Sequence, residues 1–192
     1  VFIQRVLREA RKVWDFNRRQ KRVQIAIDGQ ISNWVLDGFD PAHPQFENTT
    51  LLYVDTSTPL FRVNGIEQLD TELFLRSAPS FLVWILRLLF VKDVVNRYYD
   101  FRRNTVDLVA NLYKEQCADL IPEVLQTVNA FFAGEAAEFN VQPITEKEVS
   151  DYYKEDALIW SLYFSMRKVD RFLRRRVLRQ DYPYLLPDKI AR

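Results

Sequence analysis

The sequence predicts a mainly α fold with a small β-hairpin, an α+β helical lobe forming one domain over residues 1–192, and three observations carry that reading. Apolar residues recur at three-and-four spacing through most of the chain, as amphipathic helices require. Short, apolar, β-like runs are confined to one early stretch, at residues 23–27, 34–36 and 51–54. Only 4 Gly stand against 14 Phe, 9 Tyr and 4 Trp, so sharp turns are few and much aromatic surface must be buried.

In chain order, Phe2, Ile3, Val6, Leu7, Ala10, Val13 and Trp14 mark an amphipathic helix over 1–18, and 17–22 is a polar connection. Residues 23–63 hold the hairpin, whose long loop, 37–50, is rich in turn formers such as Gly38, Pro41 and Pro44. Thr56, Ser57 and Thr58 supply hydroxyls before the break at Pro59, and 60–65 is expected as an irregular cover over the hairpin, with Arg62 a candidate anion contact.

From Gly65 on, the pattern predicts a helical bundle over 65–192. Ile66, Leu69, Leu73 and Phe74 form one apolar face, and residues 81–91 are apolar nearly all round, as a central core helix is. Arg87, Lys92 and Asp93 interrupt that run well short of the roughly 20 apolar residues that span a bilayer. Tyr98 to Phe101 marks a bend, after which Val106, Leu108, Val109, Leu112 and Tyr113 form a helical stripe. Pro122 suits the first turn of a helix that Gly134 ends, and Thr145 with Glu148 has capping-box spacing. A long helix is expected from about 146 to 180, broken near Glu155 and Asp156, with 182–187 as an irregular tail.

Composition removes several function classes. Cys117 has no second cysteine to bridge and reads as an apolar filler, and the lone His43 sits in a Pro-flanked turn, so neither a zinc site nor a Cys/His nucleophile is encoded. Cysteine usage and the lack of a secretory leader point to the cytoplasm. A net charge of +1 gives no global attraction to nucleic acid and no reason to expect a membrane partner. Local charge is uneven: Arg5 to Arg22 and Arg167 to Arg179 form two basic stretches. The first reads as a solvated face. The second interleaves aromatic and basic residues, a nucleic-acid signature, but its apolar set has core spacing, and a partner-facing helix ranks above nucleic-acid contact.

The chemistry-bearing residues cluster at the hairpin. Asp28 closes the first β-like run, Asn33 opens the second, and Asp55 follows the third, so two carboxylates and a carboxamide are expected at one sheet edge, oxygen donors suited to magnesium and phosphate. An Asp, four residues, an Asn, and a later strand ending in Asp resembles the catalytic centre of the protein-kinase-like superfamily, nearest its aminoglycoside and choline phosphotransferase branch. The resemblance implies that Asp28 is the catalytic base and that Asn33 and Asp55 hold Mg2+ on the phosphates of ATP. It implies transfer of the γ-phosphate to a small-molecule hydroxyl, with nucleotide and acceptor as partners.

The departures from that pattern are specific. Ala26 stands where the family places His, and Gln30 stands where protein serine/threonine kinases place Lys. Thr56 and Ser57 replace Phe and Gly after the metal Asp, and Ala78-Pro79-Ser80 lacks the Glu of the closing motif. The glycine-rich cover, strand Lys and helix Glu of an N-terminal lobe are missing from this chain, so the resemblance implies a C-terminal lobe that is inactive alone. The alternatives are a catalytically inactive kinase-like or helical interaction module, and a hairpin whose Asp-Gly and Asp-Thr pairs are ordinary turns.

Overall fold

The computed structural model describes residues 1–46, 48–56, 60–70 and 92–186. Over these it is an α+β structure in which helices predominate and two small antiparallel sheets sit at one end of the chain.

Helix α1, Phe2–Arg19, buries Val6, Leu7, Ala10 and Trp14, the face its spacing predicts, and places Arg18 and Arg19 at the negative end of its dipole. Asn17 ties the helix to the first strand: its amide donates to the Ile25 carbonyl at 2.7 Å and its oxygen accepts from the Ile25 N–H at 2.8 Å. That strand, β1 (Val23–Ala26), ends two residues before Asp28. Strands β2 (Trp34–Asp37) and β3 (Thr50–Tyr53) form the expected hairpin, with Trp34 opposite Tyr53.

Residues 60–65 are not an irregular cover. Leu60–Val63 is strand β4, antiparallel to β1 with Val23 opposite Val63, and it turns through Asn64 and Gly65 into β5 (Ile66–Glu67). Both turn residues have positive φ, 51° and 79°, the geometry that makes Asn-Gly the preferred two-residue hairpin turn. The helix expected from Gly65 therefore does not begin there. The rest of that expected helix, from residue 71, and the apolar helix at 81–91 lie outside the described residues.

Helices α2 (Lys92–Tyr98), α3 (Phe101–Lys114), α4 (Ile121–Ala133) and α5 (Glu146–Phe172) follow, the last running into a π-helical turn, Leu173–Val177. Asp100 caps α3 by accepting from the Arg103 N–H at 2.9 Å, and Pro122 sits in the first turn of α4. Thr145 caps α5 through the Glu148 N–H at 3.3 Å, while the Glu148 carboxylate binds Arg102 instead of closing the box. The break expected near Glu155 and Asp156 does not occur. Arg97 holds Glu155 at 2.9 Å and Lys114 holds Asp156 at 3.2 Å, so tertiary ion pairs draw these acids into one continuous helix.

The main core lies among α1, α3 and α4. Phe101 stacks on Trp14 at 4.3 Å between ring centroids and meets Phe132 and Phe139 edge-on. The Trp14 indole N–H donates to the Tyr99 carbonyl at 3.1 Å, so this buried donor is satisfied. A second cluster, Ala26, Leu60, Val95 and Tyr99, packs the three-stranded sheet against α2.

The basic face of α1 is used within the fold. Arg8 pairs with Glu135 at 2.6 Å and Arg11 with Glu138 at 2.7 Å. Arg5 reaches the hairpin loop, donating to the Phe46 carbonyl at 2.9 Å, the Thr49 hydroxyl at 2.6 Å and the Thr49 carbonyl at 2.7 Å. Arg5→Ala is expected to cost about 2 kcal/mol in urea unfolding, because charge-assisted bonds to half-buried acceptors are lost together. Limited proteolysis should then cut within 37–50. Arg5→Lys, which lacks the guanidinium fork, should recover little of that protection.

Candidate functional site at the hairpin mouth

Residues 27–33 connect β1 to β2 and are held from three sides. Asn104 of α3 donates to the Ile27 carbonyl at 2.7 Å. Tyr53 of β3 accepts from the Asp28 N–H through its hydroxyl at 3.2 Å. Within the loop, Asp28 Oδ1 accepts from the Gln30 N–H at 3.1 Å and the Asn33 amide donates to the Asp28 carbonyl at 3.2 Å. Gly29 is buried against Asn104, where a Cβ would lie 2.3 Å from the Asn104 Oδ1, so glycine alone fits.

The hairpin ladder continues past its last paired residues. The Val54 N–H donates to the Asn33 carbonyl at 2.9 Å, which sets Asn33 and Asp55 at the same end of β2 and β3. Asp28 lies close enough to Asp55 to feel its charge. Burial raises the Asp28 carboxyl above the ordinary carboxylate range and Asp55 adds to the rise, while the Gln30 N–H, Lys114 and Asn33 oppose it. Burial likewise pushes the Tyr53 hydroxyl up to about 12, with Asp28 and Asp55 contributing. Asn33 and Asp55 thus share one end of the hairpin, and Asp28, which follows β1 of the other sheet, is brought to it by Tyr53 and Asn33.

Arg62 does not join them. It lies on β4, paired with Glu67 at 3.1 Å, donating to the Asn96 oxygen at 2.6 Å, with its guanidinium 3.8 Å from the centroid of the Tyr99 ring. These contacts account for its charge inside the fold. His43 stays in its turn beside Asp40, 3.1 Å away. Cys117 is half-buried against the core, near the filler role its sequence suggests.

Sequence reasoning missed the polar seam of α3. Asn104, Asp107, Asn111 and Lys114 recur at three-and-four spacing on a helix that is otherwise buried nearly all round. The seam borders a cavity of about 160 Å³ lined by Gln30, Asn104, Asp107, Lys114, Tyr152 and Asp156 among others. Burial raises the Asp107 carboxyl to about 6, with the charges of Asp28 and Asp156 adding and Lys114 opposing. A larger, open cleft of about 570 Å³ shares Arg97, Arg103 and Tyr152 with this cavity and continues outward between α3 and α5. The signal was a polar periodicity inside an apolar stripe, which acquires meaning once α3 is known to be central.

Fold and site together define an α+β domain that carries Asp28, Asn33 and Asp55 at the mouth of a hairpin, beside a small polar cavity. The chain belongs to DUF6206, a family of unknown function, whose model matches residues 2–171. No curated protein and no solved structure matches it.

Proposed function

We propose that this chain is the helical, C-terminal lobe of a kinase-like phosphotransferase that moves the γ-phosphate of ATP to the hydroxyl of a small molecule. The observation that carries the reading is that Tyr53 and Asn33 bind Asp28 at the hairpin end where Asn33 and Asp55 lie. Burial, with the charge of Asp55 adding to it, raises the proton affinity of Asp28, and a cation held at Asp55 would offset that charge. The Asn33 amide nitrogen faces Asp28, so its oxygen is the end a cation would use.

No three of His, Cys, Asp and Glu among the described residues are placed to share a metal ion. A magnesium ion here would rest on Asn33, Asp55 and the phosphate oxygens, the sparse protein coordination typical of magnesium in phosphoryl transfer. When bound, it would neutralise charge on the phosphates. Asp28 would orient the acceptor hydroxyl and take its proton as the new O–P bond forms and the bond from the γ-phosphorus to its bridging oxygen breaks, the electron pair leaving with ADP. A carboxylate with raised proton affinity suits that step. Tyr53 and Asn104 would hold the loop that presents it.

Isothermal titration of the full-length protein with ATP should show magnesium-dependent binding that Asp55→Ala abolishes. Asp28→Asn should retain binding and lose transfer. Equal binding by wild type and Asp55→Ala would refute the assignment of Asp55.

A second reading is a binding module without turnover. It is favoured by Ala26, buried on β1 opposite Leu60 where the resembling family carries His, and by Thr56 after Asp55. Nucleotide binding with no transfer to any acceptor would select it.

A further inference from the structure

The late basic stretch has no role in the site above, and its surroundings are unusual. Beyond Asp156 the buried residues among those described are Arg167, Asp170 and Tyr182. Their contacts are local. Arg167 lies over the Tyr184 ring at 4.8 Å and bonds the Tyr182 hydroxyl at 3.3 Å, and Asp170 pairs with Arg174 at 3.1 Å. The tail thus covers one side of α5 and leaves another side open.

On the open side stand Leu158, Leu162, Val169, Phe172 and Leu173, which fall within an arc of about 100° at 3.6 residues per turn. A stripe of that width is what a helix ordinarily turns to a core. Here Leu158 is 69% exposed and Phe172 61%, and Val177 and Leu178 extend the surface through the π-helical turn at 63% and 59%. Lys168, Arg175, Arg176 and Arg179 are exposed beside it, and with Arg171 they form no ion pair among the described residues.

We infer that this face of α5 and its π-helical turn docks on an anionic lipid surface. The occupant must offer negative charge to four exposed cations and an apolar phase to the side chains of the stripe at once. A second copy of the chain would set cation against cation, because Asp170 is spent on Arg174. A nucleic-acid backbone would satisfy the arginines and leave Leu173, Val177 and Leu178 in water. An interface of acidic headgroups over acyl chains meets both demands, and a helix of this kind lies along it. Among the described residues no helix is long and apolar enough to cross a membrane, so the contact is peripheral. The small net charge, which gave no reason to expect a membrane, averages out this local field.

Co-sedimentation with vesicles tests the inference. The full chain should pellet with mixed phosphatidylcholine and phosphatidylserine vesicles at low salt and not with phosphatidylcholine alone. The pair Arg175→Glu and Arg176→Glu should weaken binding more than about tenfold, since each cation near an anionic surface contributes substantially. The pair Phe172→Gln and Leu173→Gln should weaken it at least severalfold with its charge intact. Because these residues are exposed, both variants should melt like wild type. No pelleting with anionic vesicles overturns the inference. So does indifference to the Phe172 and Leu173 changes, which would mark a general polyanion site filled by RNA or DNA. Concentration-dependent dimerisation abolished by the same variants, without vesicle binding, also overturns it.

Discussion

Gly29→Ala is expected to lose about 2–4 kcal/mol of folding stability, a fall of roughly 5–15 °C in Tm for a domain of this size. The new methyl would lie 2.3 Å from Oδ1 and 2.9 Å from Cγ of Asn104, and 3.0 Å from the Asn104 backbone oxygen. The side chain can yield only by giving up its 2.7 Å bond to the Ile27 carbonyl, leaving a part-buried acceptor without its partner. The backbone oxygen cannot yield without moving α3. Asn104→Ala removes the first two contacts and keeps the third, so Gly29→Ala on that background should cost clearly less than on wild type. Thermal melts of the four proteins decide it: equal costs on both backgrounds would mean that Gly29 and Asn104 do not press on each other. Asp28 is the preceding residue, so under the proposed function Gly29→Ala should also weaken phosphoryl transfer more than its loss of stability explains.

How much of this was legible in the sequence depended on how local the cause was. The cap at Thr145, Pro122 opening α4 and Gly134 closing it follow from neighbours within a few residues, and the β2–β3 hairpin from two apolar runs either side of one turn-rich loop. Strand β4 was missed although Asn64-Gly65 announced its turn, because its main partner is β1, some forty residues earlier. The continuity of α5 at Glu155 and Asp156 was likewise hidden, since the ion pairs that hold it come from α2 and α3. At the site, the adjacency of Asn33 and Asp55 followed from the hairpin, whereas Asp28 comes from the other sheet and is brought there by Tyr53 and Asn33. Arg62 lay close in sequence and far in function, because its charge is met by Glu67 and the Tyr99 ring. Asp107 and Lys114 gave no signal that a motif reading uses. Their meaning lies in depth: a carboxylate is unremarkable on a surface helix and costly on a central one.

That cost makes Asp107 the most informative position for pH. Its folded-state carboxyl is pushed to about 6, above the ordinary value near 4 that it regains on unfolding. The fold therefore keeps its proton where the unfolded chain has released it. The contribution is fully present below about pH 4 and is lost as pH rises through about 6. The gap of about two pH units corresponds to about 3 kcal/mol at pH 8, and with the side chain buried little of it is screened. Asp107→Asn keeps the shape and an acceptor oxygen for Asn111, which now donates at 3.3 Å, and removes the titration. It should leave stability near wild type at pH 4 and raise it by about 1–3 kcal/mol at pH 8, a few degrees or more in Tm. A gain of the same size at both pH values would show that the charge is not what the interior resists. A protein that retains so expensive a carboxylate beside a polar cavity, 4 residues along the helix from a second buried polar side chain at Asn111, has it where a ligand can offset the charge. A cationic ligand bound in that cavity should then abolish the difference between the two melting profiles.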